Sequence, residues 1–120
     1  MGVHDFGLEK LGSFVQGITT PYPSTMAFGN GSSAFDATDT HLENEFTRKA
    51  VSWAWNGRDP RGTVLFGNTE AVGSSFLEMG LGSGVTANGS NIWSRDLSAI
   101  GSKLDSYALE ISFDFRFRRI

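Results

Sequence analysis

Few residues in this chain are placed to do chemistry. The glycine-rich run Gly80-Leu81-Gly82-Ser83-Gly84 has the look of a loop that could wrap a phosphate. Such a loop needs a lysine followed by serine or threonine after its last glycine, and here Val85-Thr86 follows. A dinucleotide site needs a helix opening from the glycines, and the pattern shows none. The run is therefore read as a turn, where glycine permits positive φ. No Gly-x-Ser-x-Gly elbow occurs, and neither His4 nor His41 has a neighbouring serine that it could activate. Asp36, Asp39, Glu43 and Glu45 form an acidic cluster, but their spacing departs from the alternating ligand ladder of a calcium loop. Asp39 and Glu43 suit the amide end of a short helix instead. The expectation is no catalytic residue, no metal, no cofactor and no enzyme.

Aromatic and basic residues offer binding rather than catalysis. Trp53, Trp55 and Trp93 could form a sugar-stacking platform for a host surface glycan, or fill the core between two sheets. Arg116, Arg118 and Arg119 interleave with Phe115 and Phe117, as on a nucleic-acid surface. The alternation instead sends the phenylalanines inward and the arginines outward, toward a salt-bridged or subunit-facing edge. A formal charge of −3, from 13 acidic and 10 basic residues, also argues against a nucleic-acid partner.

The elements that would carry these residues are strands. The clearest is the last, where Leu109, Ile111, Phe113, Phe115 and Phe117 alternate with Glu110, Ser112, Asp114, Arg116 and Arg118. A period of two marks a strand with one buried and one wet face. Shorter strands are predicted over residues 25–28, 51–55, 63–66, 75–81 and 91–95, separated by breakers such as Asn56-Gly57-Arg58-Asp59-Pro60-Arg61-Gly62. Thr40-His41-Leu42-Glu43 has the capping-box form and predicts a short helical turn through Glu45 and Phe46, closed by Arg48. Residues 1–20 form an arm with two readings. Leu8, Leu11, Phe14, Val15 and Ile18 approximate helical spacing, interrupted by Gly7, Gly12 and Gly17; an extended arm docking on a neighbour competes.

With 120 residues, 15 glycines, ten phenylalanines and no cysteine, the chain is expected to be one all-β domain without disulfides. The predicted fold is an antiparallel β-sandwich of six or seven strands with one short helical turn. It has an N-terminal arm over 1–20 and the sandwich over 21–120. No apolar run is long enough to span a bilayer, and residues 1–14 lack the pattern of a signal peptide. Synthesis in the cytoplasm and no membrane partner are expected.

Taken in order, residues 20–120 resemble a family of small structural proteins of tailed phages and related prokaryotic viruses. The resemblance is carried by Ala27-Phe28-Gly29-Asn30-Gly31, then Asp39-Thr40-His41-Leu42-Glu43-Asn44-Glu45-Phe46-Thr47-Arg48. It continues with Glu78-Met79-Gly80-Leu81, Ile92-Trp93-Ser94-Arg95, Ile100 with Lys103, and the closing strand. It implies a virion component of the tail, baseplate or collar, or a decoration protein of the head. The implied partners are copies of itself, as a trimer or ring, and other virion proteins. It also implies that Glu45 and Arg48 brace the helical turn, and that Glu78, Arg95 and Lys103 form buried or interface pairs. The chain lacks the extended fibre of longer family members, which favours a compact adaptor or decorating subunit.

Overall fold

The computed structural model describes residues 2–17, 23–57, 59–84, 91–103 and 107–114. Strand β1 (Gly2–Val3) and helix α1 (Asp5–Val15) are followed by β2 (Thr25–Gly29), β3 (Glu45–Ala50), β4 (Ser52–Trp55) and β5 (Pro60–Phe66). The chain then forms β6 (Ser75–Gly82), β7 (Ile92–Ser102) and β8 (Leu109–Asp114). They build a five-stranded sheet, in the order β1-β7-β6-β2-β3, and a three-stranded sheet, β4-β5-β8, antiparallel throughout. This is the all-β, two-sheet antiparallel architecture expected from the strand pattern.

The core lies between the sheets. Phe28, Phe66 and Phe76 meet edge to face, with centroids 5.1 to 5.6 Å apart, and Phe46 meets Phe76 in the same way at 5.3 Å. Met26, Val64, Met79, Leu81 and Ile111 complete the cluster. Edge-to-face rings place a positive edge on a negative face and stabilise beyond their buried area. Gly62 lets the Phe113 ring lie close against β5, since a Cβ there would force that ring and the Val51 side chain to shift.

Strand β8 has the predicted alternation over its described length. Ile111 is buried and Leu109 and Phe113 half-buried, whereas Glu110, Ser112 and Asp114 are exposed. Phe113 packs edge-on against Trp53 at 5.4 Å, and Asp114 takes an exposed ion pair from Arg61. Phe113→Ala is therefore expected to lose roughly 2 kcal/mol, less than the 3–5 of a fully buried ring. Asp114→Ala is expected to leave the melting temperature essentially unchanged, because exposed pairs contribute little. Equal thermal melts for the two variants would sink the assignment of faces. Residues 115–117 of the predicted strand lie outside the described residues.

Two expectations are corrected. The capping box does not open a helix: residues 45–50 are strand β3. The main-chain N–H groups of Glu43 and Asn44, which a helix start would leave for a cap, donate to the carboxylate of Glu78. The Thr40 carbonyl accepts from the Ile92 N–H, and the Glu43 carboxylate accepts from the Ser33 N–H. With those groups occupied, pairing to β2 and packing of Phe46 on Phe76 decide for strand. The chain then crosses between sheets at Val51, so the predicted strand over 51–55 is β4 preceded by a corner.

The helix is at the N-terminus instead. Of the two readings of residues 1–20, the described part has the helical one, and it docks on the chain's own sheet. β1 pairs with β7, the His4 N–H donates to the Trp93 carbonyl, and the Asp5 N–H donates to the Ala37 carbonyl. The helix approaches β7 through Gly7, where a Cβ would sit 2.3 Å from the Trp93 carbonyl oxygen. Leu8 and Val15 point to solvent. Gly7→Ala should consequently push the helix off the sheet and cost about 1–3 kcal/mol, despite alanine's better helix propensity. A lower melting temperature is the expected readout, and a rise would refute the close approach.

Candidate functional site

Opposite the aromatic core, the outer face of the large sheet carries a row of small residues between two ion pairs. Cross-strand register fixes this arrangement. Arg48, Ala27, Gly80 and Arg95 lie in one row across β3, β2, β6 and β7, and Glu45, Gly29 and Glu78 lie in the next. Successive residues of a strand face opposite ways, so Glu45 and Arg48, three apart, would normally point to different faces. A bulge at Phe46 restores them to one face: Thr47 pairs with Phe28, whereas Glu45 pairs with Gly29. The bulged Phe46 turns toward Phe76.

Glu78 is the hub. It is fully buried, and its carboxylate accepts from Gly31 N–H at 2.6 Å, from Glu43 and Asn44 N–H at 2.9 Å each, and from Arg95 Nε at 2.9 Å. Arg95 reaches on to the Ser33 carbonyl at 3.0 Å. Together the pair pins the loop 30–44 onto the sheet. The small residues make room: a Cβ on Gly80 would meet Leu42 at 2.8 Å, and one on Gly31 would meet the Glu78 carboxylate at 2.2 Å. Leu42, Ala27 and Ile92 form a second apolar cluster beneath the loop.

Burial alone would raise the Glu78 carboxyl pKa. The hydrogen bonds from Arg95, Asn44, Glu43 and Gly31 outweigh it and hold the group below its ordinary value. A depressed folded-state pKa adds stability that is fully present above the unfolded pKa, about 4.3, and is lost as pH falls through the folded one. Stability should therefore drop with acid below about pH 4, with amides of 31, 43 and 44 losing exchange protection first. Unchanged protection at those amides down to pH 2 would exclude Glu78 as the anchor.

The second pair is equally enclosed. Arg48 meets the Glu45 carboxylate through Nε at 3.0 Å and a terminal nitrogen at 2.7 Å, and its other terminal nitrogen reaches Asn91 at 2.5 Å. Both side chains are at most 1 % exposed. They brace a strand and the base of the β6–β7 hairpin, where the resemblance implied a helical turn. Lys103 is buried as well, at the end of β7. It donates to the Asn68 carbonyl at 3.2 Å and lies 5.3 Å from the centre of the Tyr107 ring. It fastens the 67–74 loop, apart from the Glu78–Arg95 pair.

The three tryptophans are not brought together. Trp93 is buried on β7 under α1. Trp53 is half-buried against Phe113 and donates to the Pro23 carbonyl at 2.8 Å. Trp55, at the end of β4, is 68 % exposed. The acidic cluster disperses too. Asp36 takes the Thr38 N–H and hydroxyl, Glu43 takes Ser33 N–H, and Glu45 takes Arg48. Among the described residues no three histidine or carboxylate side chains are grouped to hold a metal ion. His41 is exposed, and Gly80 and Gly82 belong to β6 rather than to a loop.

Two contributors were missed from sequence. His4 is buried, donates through Nδ1 to the Ile92 carbonyl at 3.1 Å and stacks on Phe35. Gly31 is the closest approach of the loop to Glu78, where a side chain would meet the carboxylate. The recurrence of small residues at Ala27, Gly29 and Gly80 was the available signal for a covered face.

Fold and site thus define an antiparallel β-sandwich whose outer face holds a long loop on buried ion pairs. No protein-family model, curated protein or solved structure matches the chain.

Proposed function

We propose that this chain is a virion structural subunit of the tail, baseplate or collar, working through assembly with copies of itself and docking to neighbouring virion proteins. One observation supports the reading. Of the residues that carry the resemblance, Glu78, Arg95 and Lys103 hold loops to the sheets, and Glu45 and Arg48 brace β3 against the base of the β6–β7 hairpin. A motif used for scaffold rigidity suits a subunit whose loops and edges make its contacts. Among the described residues, the rims of both sheets carry no further strand and offer edges for assembly to cover.

The test is gold labelling of purified particles with an antibody to the chain, viewed by electron microscopy. Label at tail or neck is the expected result. Label spread over the head would make it a decoration protein, and no label on intact or disrupted particles would end the virion reading. The exposure of Trp55 favours a second reading, attachment to a host glycan through one stacked ring. A Trp55→Ala variant that binds host-surface glycans as well as the parent would remove it.

A further inference from the structure

The three-stranded sheet is narrower than the one it covers. β8 forms one rim, and among the described residues no strand lies against its outer side. A groove of about 390 Å³ runs there, walled by Leu109, Ile111 and Phe113 of β8 and by Met79 and Asp96 of the facing sheet. Its apolar wall alternates with a wet row of Glu110, Ser112 and Asp114. The groove is thus shaped for one more strand with an apolar row and a basic row.

The sequence beyond β8 has that pattern: Phe115-Arg116-Phe117-Arg118-Arg119-Ile120. Six extended residues span roughly 20 Å, the length of β8 itself. In either strand direction, a register that keeps the faces matched sets Phe115 and Phe117 beside the apolar row. It sets Arg116 and Arg118 beside Glu110, Ser112 and Asp114. Opposite charges across a strand pair stabilise, and like charges oppose pairing. A strand that runs on past Asp114, as the alternation through Phe117 predicts, carries this segment away from its own groove.

We propose that residues 115–120 of one copy fill the groove beside β8 of the next, adding a fourth strand to its small sheet. The contact joins different surfaces head to tail, and such contacts close into rings or run on as filaments. This rests on the self-assembly proposed above and names the surfaces that make it.

The test is sedimentation velocity on the full chain and on charge-reversed variants. The parent should sediment as a trimer or larger ring. Arg116→Glu with Arg118→Glu should weaken association at least about tenfold. Glu110→Lys with Ser112→Lys, on exposed groove positions, should do the same, and circular dichroism checks that each variant is folded. All four substitutions together should restore the assembly. A monomeric parent, or an assembly indifferent to both reversals, overturns the proposal. The particle labelling reads separately. A monomer that still labels virions gives the groove to another virion protein and leaves the virion role standing. A charge-dependent ring with no label on particles leaves the strand exchange standing alone.

Discussion

Glu78→Gln should destabilise the fold by about 3–5 kcal/mol, read as a lower urea midpoint with little change in slope. Glutamine keeps the shape of the side chain but removes the charge and one acceptor. The carboxylate now receives three main-chain N–H groups and the Arg95 guanidinium, all at 2.6 to 2.9 Å. The amide would present two N–H donors to a site that already supplies only donors. Arg95, whose side chain is 2 % exposed, would keep a buried charge without its counterion. A domain of this size is stable by only about 5–15 kcal/mol, so the variant should be partly unfolded near physiological temperature. Pairing it with Arg95→Met should recover part of the loss, since the orphaned cation goes too. A double variant worse than the sum of the singles would contradict the ion-pair account.

Phe76→Ala should cost a comparable 3–5 kcal/mol, whereas Leu77→Ala, one residue on, should stay within about 0.5. Phe76 is fully buried and touches three other rings, those of Phe28, Phe46 and Phe66. Its removal leaves a ring-sized void at the meeting point of β2, β3, β5 and β6, and close-packed neighbours cannot collapse into it fully. Leu77 is exposed. Urea melts of the two variants measure the contrast directly. Similar losses would mean that the chain places the other face of β6 inward at this point.

That contrast shows where the sequence was readable. Strand β8 obeys simple alternation, so its faces follow from Leu109, Ile111 and Phe113 alone. On β6 the same rule would set Phe76 with Glu78. The register with β7 shifts between them, and Phe76 joins the core while Glu78 faces the loop. Irregularities of this kind depend on the partner strand, which local sequence does not contain. The capping box at Thr40 was a sound local signal defeated by a distant one, the carboxylate of Glu78 thirty-five residues beyond Glu43. Glu78–Arg95 and Glu45–Arg48 form ion pairs, whereas Lys103 meets a main-chain carbonyl and the Tyr107 ring. The tryptophans could not be sorted in advance. Trp93 is buried on β7, whose main chain α1 approaches, and Trp55 is exposed at the end of β4.

The loop 30–44 is grasped by its main chain. Glu78 holds N–H groups of Gly31, Glu43 and Asn44, and Arg95 holds the Ser33 carbonyl. Gly31 apart, the side chains of residues 32–36 are exposed. Backbone atoms are common to all residues, so apart from Gly31, Phe35 and the buried Leu42 the anchorage is blind to what the loop spells. Substitutions at the exposed positions 32–34 and 36 should therefore leave the clasp beneath them intact.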